Sequence, residues 1–403
     1  MAVSTALLIG IVATLFVAYN IGGATTGPAF GPAVGAEVIG KLTAAGLMSV
    51  CFAAGAWTLG RRVVDTLGRE LLAEPGVLTL KSSIVVLLFI GGALLVGNLS
   101  GAPASTSMTA VGAIIGLGVA TDALNWSVVG VIVSWWVVSP VIAFWAAVMI
   151  GRYLYPYIDR AIAIDQTPGA LLTLDRTGTV PRPQLGDATT RRELVGTVVV
   201  VGIGCLMAFS SGTSNIANAI APLVGSGQLA MNPAILLGTA AVAVGAFTIA
   251  RRTMETLGND ITDLPLTAAI VVAVVSSVIV VLLSAAGIPA SFVIIATMCI
   301  VGLGWGRATR TITITDAVRG RGAPQVTTAA LRSDEESPTV GDPSTADAEQ
   351  DLQPIGEETV SGTDESPALF DPSTTARVIA MQNVVPILAT VGSFLTFTVV
   401  GSI

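Results

Sequence analysis

Residues 22–35, which read GGATTGPAFGPAVG, share their pattern with residues 212–225, which read GTSNIANAIAPLVG. The two stretches lie 190 positions apart and align without a gap. At the same offset, residues 55–68 (GAWTLGRRVVDTLG) match residues 245–258 (GAFTIARRTMETLG). The repeated order of two separate motifs indicates that the chain consists of two related halves, and this duplication governs the fold that the sequence predicts.

A third motif is also duplicated. Residues 101–105 (GAPAS) match residues 287–291 (GIPAS), and the Gly-Leu-Gly of residues 116–118 recurs at 302–304, both at an offset of 186. The similarity therefore extends through most of each half.

The composition is that of a membrane protein. Hydrophobic residues make up 53% of the chain, charged residues make up 11%, and the mean hydropathy is +0.81. A bilayer crossing needs about 20 apolar residues. Long runs contain no Asp, Glu, Lys or Arg, and several are long enough for two passes: 1–36, 82–121, 123–151, 194–250, 264–306 and 378–403.

Ten hydrophobic blocks can be drawn, five in each half: 3–21, 42–59, 82–99, 108–121, 126–150, 194–210, 232–250, 266–286, 290–305 and 378–402. An odd number of spans in each half inserts the second half upside down. We therefore expect an all-α polytopic membrane protein with two inverted-topology repeats, broken helices, re-entrant hairpins and about 10–12 transmembrane segments.

Four segments rich in Gly, Pro and hydroxyl residues interrupt the apolar blocks. We predict that 22–40, 212–230, 100–107 and 287–291 form half-helices and hairpin tips buried within the protein. Duplicated halves with such interruptions are typical of secondary transporters. The chain has no histidine and no visible pair of nucleophile and base, and its three cysteines form no metal spacing, so we do not expect an enzyme or a metal site.

The charges suggest how the chain is divided and oriented. Arginines cluster in residues 151–193 and 306–332, which places both segments in the cytoplasm and both termini outside. Residues 333–371 contain twelve acidic residues and neither Lys nor Arg, so we expect a disordered linker, with a regulatory segment as the alternative. The predicted divisions are a first repeat (1–150), a cytoplasmic loop (151–193), a second repeat (194–310), an acidic cytoplasmic loop (311–377) and a final transmembrane helix (378–403).

The duplicated motifs resemble those of the inorganic phosphate transporter (PiT) family. Residues 212–219 (GTSNIANA) are similar to its Gly-Ala-Asn-Asp-Val-Ala-Asn-Ala signature, which occurs once in each half. Residues 60–71 (GRRVVDTLGREL) look like its second motif, and residues 103–107 (PASTS) resemble its Pro-Val-Ser-Thr-Thr hairpin tip. The resemblance covers residues 1–125 and 195–306.

The resemblance implies a multi-pass protein of the cell membrane that carries a small inorganic oxyanion by alternating access. Phosphate is the first expectation, and sulfate is the alternative within the family. A membrane protein that senses the anion without transporting it is an alternative of another class. The expected partners are the anion and membrane lipid, without nucleic acid, and a homodimer is left open.

The same resemblance assigns anion contacts. These are Ser105, Thr106 and Ser291 at the hairpin tips, Asn215 and Asn218 in the core, and Thr25 and Thr26 at the matching place in the first half. Hydroxyls, amides and helix N-termini suit an anion that must also be released. The alternative is that the Ser and Thr hydroxyls only satisfy helix ends.

The chain departs from the family at the residues that bind sodium. Ala24-Thr25 and Ser214-Asn215 stand where the family has Asn-Asp, so both carboxylates are absent. The coupling ion, sodium or proton, therefore stays open, and no other cofactor is expected. Glu37 and Lys41 are new charges close by, and they form either a coupling or counter-charge pair or the end of a helix at the interface.

Overall fold

The computed structural model describes residues 4–35, 38–74, 76–99, 105–162, 172–175, 182–185, 191–260, 266–309 and 372–401, and the account below is confined to them. Glu37 and the acidic segment 333–371 lie outside these residues. The division of the chain into repeats and loops therefore stays a prediction.

The described residues form helices joined by short turns, with one small β-hairpin. The helices are α1 (Thr5–Gly35), α2 (Lys41–Trp57), α3 (Gly60–Asp65), α4 (Leu80–Leu99), α5 (Thr106–Ala120), α6 (Trp126–Met149), α7 (Tyr155–Ile162), α8 (Arg191–Gly225), α9 (Met231–Asp260), α10 (Leu266–Ala285), α11 (Phe292–Ala308) and α12 (Pro372–Val400). The π-helical turns Thr66–Glu70 and Ile150–Leu154 extend α3 and α6. Strands β1 (Leu172–Asp175) and β2 (Arg182–Leu185) pair antiparallel.

Each of the ten hydrophobic blocks corresponds to one helix. Among the described residues, seven helices are long and apolar enough to cross a membrane, and the pair Lys41–Trp57 and Gly60–Glu70, bent by 61°, gives an eighth. The apolar helices Thr106–Ala120 and Phe292–Arg307 are shorter. Large apolar side chains on the outside of the bundle, such as Val12, Val137 and Leu282, are exposed as lipid contact requires. The protein is a multi-pass membrane protein. Among the described residues, eight of the ten blocks are long enough to span and the other two, α5 and α11, are shorter.

The two short helices belong to hairpins that enter the bundle and return. After α5, the N–H of Asn125 donates to the carbonyl of Leu71 at 3.0 Å, and Ala73 donates to Ala123 at 2.8 Å. The end of α5 therefore lies beside the segment that leads into α4. In the last turn of α11, the guanidinium of Arg307 lies 4.5 Å from the ring centre of Tyr155, the first residue of α7. The predicted tips around 100–107 and 287–291 are the points from which α5 and α11 start.

The prediction that 22–40 and 212–230 are broken segments was wrong. Helix α1 continues to Gly35 and α8 to Gly225. The glycines serve close packing instead of breaks: a β-carbon at Gly212 would lie 2.1 Å from the carbonyl oxygen of Phe52. A continuous helix also satisfies its own backbone hydrogen-bonding groups, as a segment inside the bilayer must.

The helices that carry the first motif run in opposite directions. Gly10 of α1 lies near Leu223 of α8, whereas Phe30 of α1 lies against Gly204 of α8. The early part of α1 therefore meets the late part of α8, as antiparallel helices do. This course supports the inversion predicted from the odd number of blocks.

The halves are packed crosswise. A β-carbon at Gly22 of α1 would lie 2.1 Å from the carbonyl oxygen of Val242 in α9. The contact between Gly212 of α8 and Phe52 of α2 is its counterpart, with both residues displaced by 190 positions. The first half thus supplies α1 to one pair and α2 to the other, and the second half supplies their partners, α9 and α8.

The last helix of each half also crosses to the other half. A β-carbon at Gly302 of α11 would lie 2.3 Å from the carbonyl oxygen of Phe144 in α6, and one at Gly116 of α5 would lie 2.4 Å from that of Thr390 in α12. Gly116 and Gly302 are repeat partners, so α6 and α12 take equivalent places. Neither half can complete its hairpin packing alone.

We predict that Gly212→Ala destabilises the protein by about 1–3 kcal/mol, because the new methyl group overlaps the Phe52 carbonyl. The matched control is Gly202→Ala in the same helix, where no atom lies within 4 Å of the added carbon. Thermal unfolding in detergent should show a lower midpoint for Gly212→Ala only. Equal midpoints would contradict the tight crossing of α8 and α2.

Candidate functional site

A small cavity lies where the starts of α5 and α11 meet α1 and α8. It encloses about 50 Å³, room for a solute the size of a few water molecules. None of the described residues that line it is charged, and its polar groups are hydroxyls and one amide. The lining consists of Ala24, Thr25, Ala29, Ser105, Thr106, Met207, Ser211, Asn215, Ser291, Phe292 and Val293.

Two helix N-termini face this cavity. Ser105 caps α5, and its Oγ accepts from the N–H of Met108 at 3.2 Å. Ser291 caps α11 in the same way, accepting from the N–H of Ile294 at 3.5 Å. The first N–H groups of a helix have no partner within it, and the end carries about half a positive charge. Because each capping oxygen uses a lone pair for the cap, its own proton can still be donated to a ligand.

Asn215 connects α8 to the first hairpin. Its Oδ1 accepts from the Thr106 hydroxyl at 2.5 Å and from the Asn218 amide at 3.2 Å. Its Nδ2 donates to the hydroxyl oxygen of Ser211 at 2.9 Å. The Thr106 proton is therefore committed to Asn215 in this conformation, whereas the second amide proton of Asn215 remains for a ligand.

A buried polar layer lies behind the cavity. The Nδ2 atom of Asn218, which is fully buried, lies 3.3 Å from the hydroxyl oxygen of Ser107. Ser107 and Ser214 both donate to the carbonyl oxygen of Ala290, at 2.9 and 3.0 Å. This layer joins α5 and α8 to the tip before α11. The Oδ1 atom of Asn218 has no partner among the described residues.

The structure brings most of the predicted anion contacts together. Ser105, Thr106, Ser291, Asn215 and Thr25 all line the cavity. The hydroxyl of Thr25 donates to the carbonyl of its own helix four residues earlier, at 2.8 Å.

Other predicted residues lie elsewhere. Asn218 is one layer behind the cavity, and Thr26 is fully buried and donates to the carbonyl of Gly22 at 2.8 Å. Lys41 is the first residue of α2 and does not line the cavity. Its predicted partner, Glu37, lies outside the described residues, so the pairing stays a prediction.

The sequence interpretation missed Ser211. Met207, Ser211 and Asn215 follow one another at four-residue spacing and therefore lie on one face of a helix. That face was hidden because residues 212–230 were expected to be broken. Reading them as one continuous helix would have found it.

The arrangement can hold a small anion. Donors converge from two helix ends, two capping serines and an amide, and no described carboxylate opposes them. Binding without a fixed cation is weak enough for release, which a carrier requires.

Comparison with known proteins agrees with this chemistry. The model of the phosphate transporter family matches residues 21–329. The chain belongs to that family. The resemblance of its three duplicated motifs to the phosphate transporters is thereby confirmed, and the protein is a membrane transporter of an inorganic anion.

Known proteins with different names are similar to the chain. The "Sulfate permease CysP" of Bacillus subtilis is 31% identical, over 74% of this chain and 77% of its own length. The "Putative phosphate permease" of Helicobacter pylori (strain J99) is 27% identical, over 72% of this chain and 67% of its own. A solved structure described as "The sodium-dependent phosphate transporter" has a TM-score of 0.66 at 17% identity, covering 98% of this chain and 99% of that one, and so shares the fold.

We predict that Ser105→Ala and Ser291→Ala each weaken anion binding by about tenfold to a hundredfold, the worth of one buried hydrogen bond to a charged group. Binding of labelled phosphate and sulfate to the purified protein measures this. Both variants also lose a helix cap, which costs about 1 kcal/mol.

The control for the lost cap is Asn125→Ala. Asn125 caps α6 by accepting from the N–H of Val128 at 3.4 Å and does not line the cavity. It should reduce stability similarly and leave affinity unchanged. Wild-type affinity in both serine variants would assign Ser105 and Ser291 to capping alone.

Proposed function

We propose that this chain is a secondary transporter that carries inorganic phosphate across the cell membrane by alternating access, with the anion bound between Ser105 and Ser291. The observation that carries the proposal is the convergence of the α5 and α11 N-termini on one uncharged cavity. None of the described residues that line this cavity is a charged nucleophile or base, which favours transport over catalysis.

Alternating access is supported by the way that the halves are joined. The tip before α11 accepts hydrogen bonds from Ser107 of the first half and from Ser214 of its own half. A relative movement of the halves must therefore change contacts at the binding site itself. This links anion binding to conformation without a separate relay.

Sulfate is the second candidate, and two observations favour it. The relative at 31% identity bears the name of a sulfate permease. Hydrogen phosphate carries a proton that needs an acceptor, whereas sulfate does not, and no described carboxylate lines the cavity. The family name and the phosphate-permease name of the second relative keep phosphate first.

Counterflow separates the candidates. Vesicles that contain the purified full chain and unlabelled phosphate should accumulate labelled phosphate, and external sulfate should compete only weakly. The reverse preference would make the chain a sulfate carrier. Binding of either anion without flux would contradict transport and favour the anion-sensing alternative.

The coupling ion is also a proposal. We expect transport to depend weakly on sodium, because Thr25 and Asn215 stand where the family has aspartates. A neutral oxygen that a sodium ion can use as a ligand is nevertheless close to Asn215. It is the Oδ1 atom of buried Asn218, which has no partner among the described residues. A proton is the other candidate for the coupling ion.

We predict that Asn215→Asp increases sodium dependence. The aspartate can still accept from Thr106 and Asn218, but its negative charge lies in the anion cavity and needs a cation beside it. Anion uptake by the variant should therefore be weaker than wild type without sodium and recover when sodium is added.

The control is Asn232→Asp, at an exposed position near the start of α9. It adds the same charge away from the cavity and should behave as wild type. Steep sodium dependence in the wild-type protein would contradict the expectation and mean that neutral oxygens are sufficient.

A further inference from the structure

The tip before α11 is held by a tryptophan from the other half. The indole N–H of Trp136, in α6, donates to the carbonyl oxygen of Pro289 at 2.8 Å. Pro289 lies two residues before Ser291, which caps α11 at the cavity. Trp136 does not line the cavity, so its connection to the site runs through the tip.

The position equivalent to Trp136 in the second half is Gln382. Residues 138–143 of α6 read VSPVIA and residues 384–389 of α12 read VVPILA, which aligns Pro140 with Pro386. The same alignment pairs Phe144 with Thr390, the residues whose carbonyls meet the repeat partners Gly302 and Gly116. Sequence and packing therefore agree on the match.

Gln382 lies beside the first turn of α5. The Pro386 carbonyl lies near Gly112, the Thr390 carbonyl lies near Gly116, and Ser393 donates to the carbonyl of Ala113 at 2.7 Å. Helices α5 and α12 run parallel along this contact, so the turn of α12 that precedes Pro386 lies next to the start of α5. Trp136 has the corresponding relation to the start of α11.

Gln382 has an unused donor. Its side chain is only 6% exposed, and its Nε2 atom has no hydrogen-bond partner among the described residues. A buried amide without a partner is costly, and a partner gained in another conformation would offset that cost. The equivalent donor, Trp136, is satisfied in the conformation described here.

We propose that Trp136 and Gln382 are matched positioning residues, through which the last helix of each half holds the re-entrant hairpin of the other half. In this conformation the Trp136 bond is made and the Gln382 donor is not. In the opposite conformation of the transport cycle Gln382 holds the first hairpin and Trp136 releases the second. This inference depends on the proposed alternating-access function.

The two donors should therefore bias the cycle in opposite directions. Loss of the Trp136 bond weakens the described conformation, whereas loss of the Gln382 amide weakens the opposite one and removes an unpaired group from the described one. The apparent affinity at each membrane face scales with the population of the conformation open to it. One variant should strengthen anion binding at the face where the other weakens it.

The test uses the full chain with Trp136→Phe or Gln382→Met, two changes that remove the donor and keep most of the volume. Half-saturation concentrations for labelled phosphate and sulfate are measured in right-side-out and inside-out membrane vesicles. The matched control is Trp135→Phe, the same substitution at an adjacent residue that is 37% exposed and does not line the cavity. Each donor variant should change half-saturation by roughly twofold to tenfold, the worth of one neutral hydrogen bond.

The result that supports the proposal is a rise at one face and a fall at the other for Trp136→Phe, with the reverse for Gln382→Met. Changes in the same direction at both faces, or a Trp136→Phe that behaves as Trp135→Phe, would overturn it. If one variant does not reach the membrane, the opposite changes in half-saturation at the two faces for the other variant decide whether the proposal holds. Absence of saturable uptake by the wild-type protein would instead refute the proposed function.

Discussion

Close contact between helix backbones of opposite halves is the constraint on which this structure depends. At Gly22 and Gly212 a single added carbon would lie 2.1 Å from a carbonyl oxygen of the partner helix. In a membrane, where lipid is as apolar as the helices, such packing replaces the hydrophobic effect as the force that joins helices. The crossed pairs that result interlock the two halves and bring both hairpins to a common point.

The site follows from that meeting of hairpins. Ser105 and Ser291 cap two buried helix starts, whose other first-turn N–H groups have no partner within the helix. The proposed anion would supply a partner for those groups. Because α8 contributes Asn215 and Ser211 from one continuous face, the cavity is defined on its other side by a rigid element. The donors are neutral, so affinity depends on their number and placement.

The ten apolar segments and the joint placement of Ser105 and Ser291 could be predicted from the sequence, because each leaves a repeated local pattern. The sequence could not distinguish a helix break from a tight crossing, since both require small residues, and so residues 212–225 were misjudged and Ser211 was missed. The match between Pro140 and Pro386 was hidden by the long acidic segment that displaces it from the offsets of 190 and 186. Crossed pairing depends on contacts between distant residues and has no local signature.

The central claim is that one anion binds between the two hairpin starts, and locating a bound anion tests it most directly. Crystals of the full chain with arsenate or selenate, heavier analogues of phosphate and sulfate, would give an anomalous signal at the ion. We predict a peak within hydrogen-bonding distance of the Ser105 and Ser291 hydroxyls. A peak at a cluster of surface arginines, with none in the cavity under saturating conditions, would contradict it.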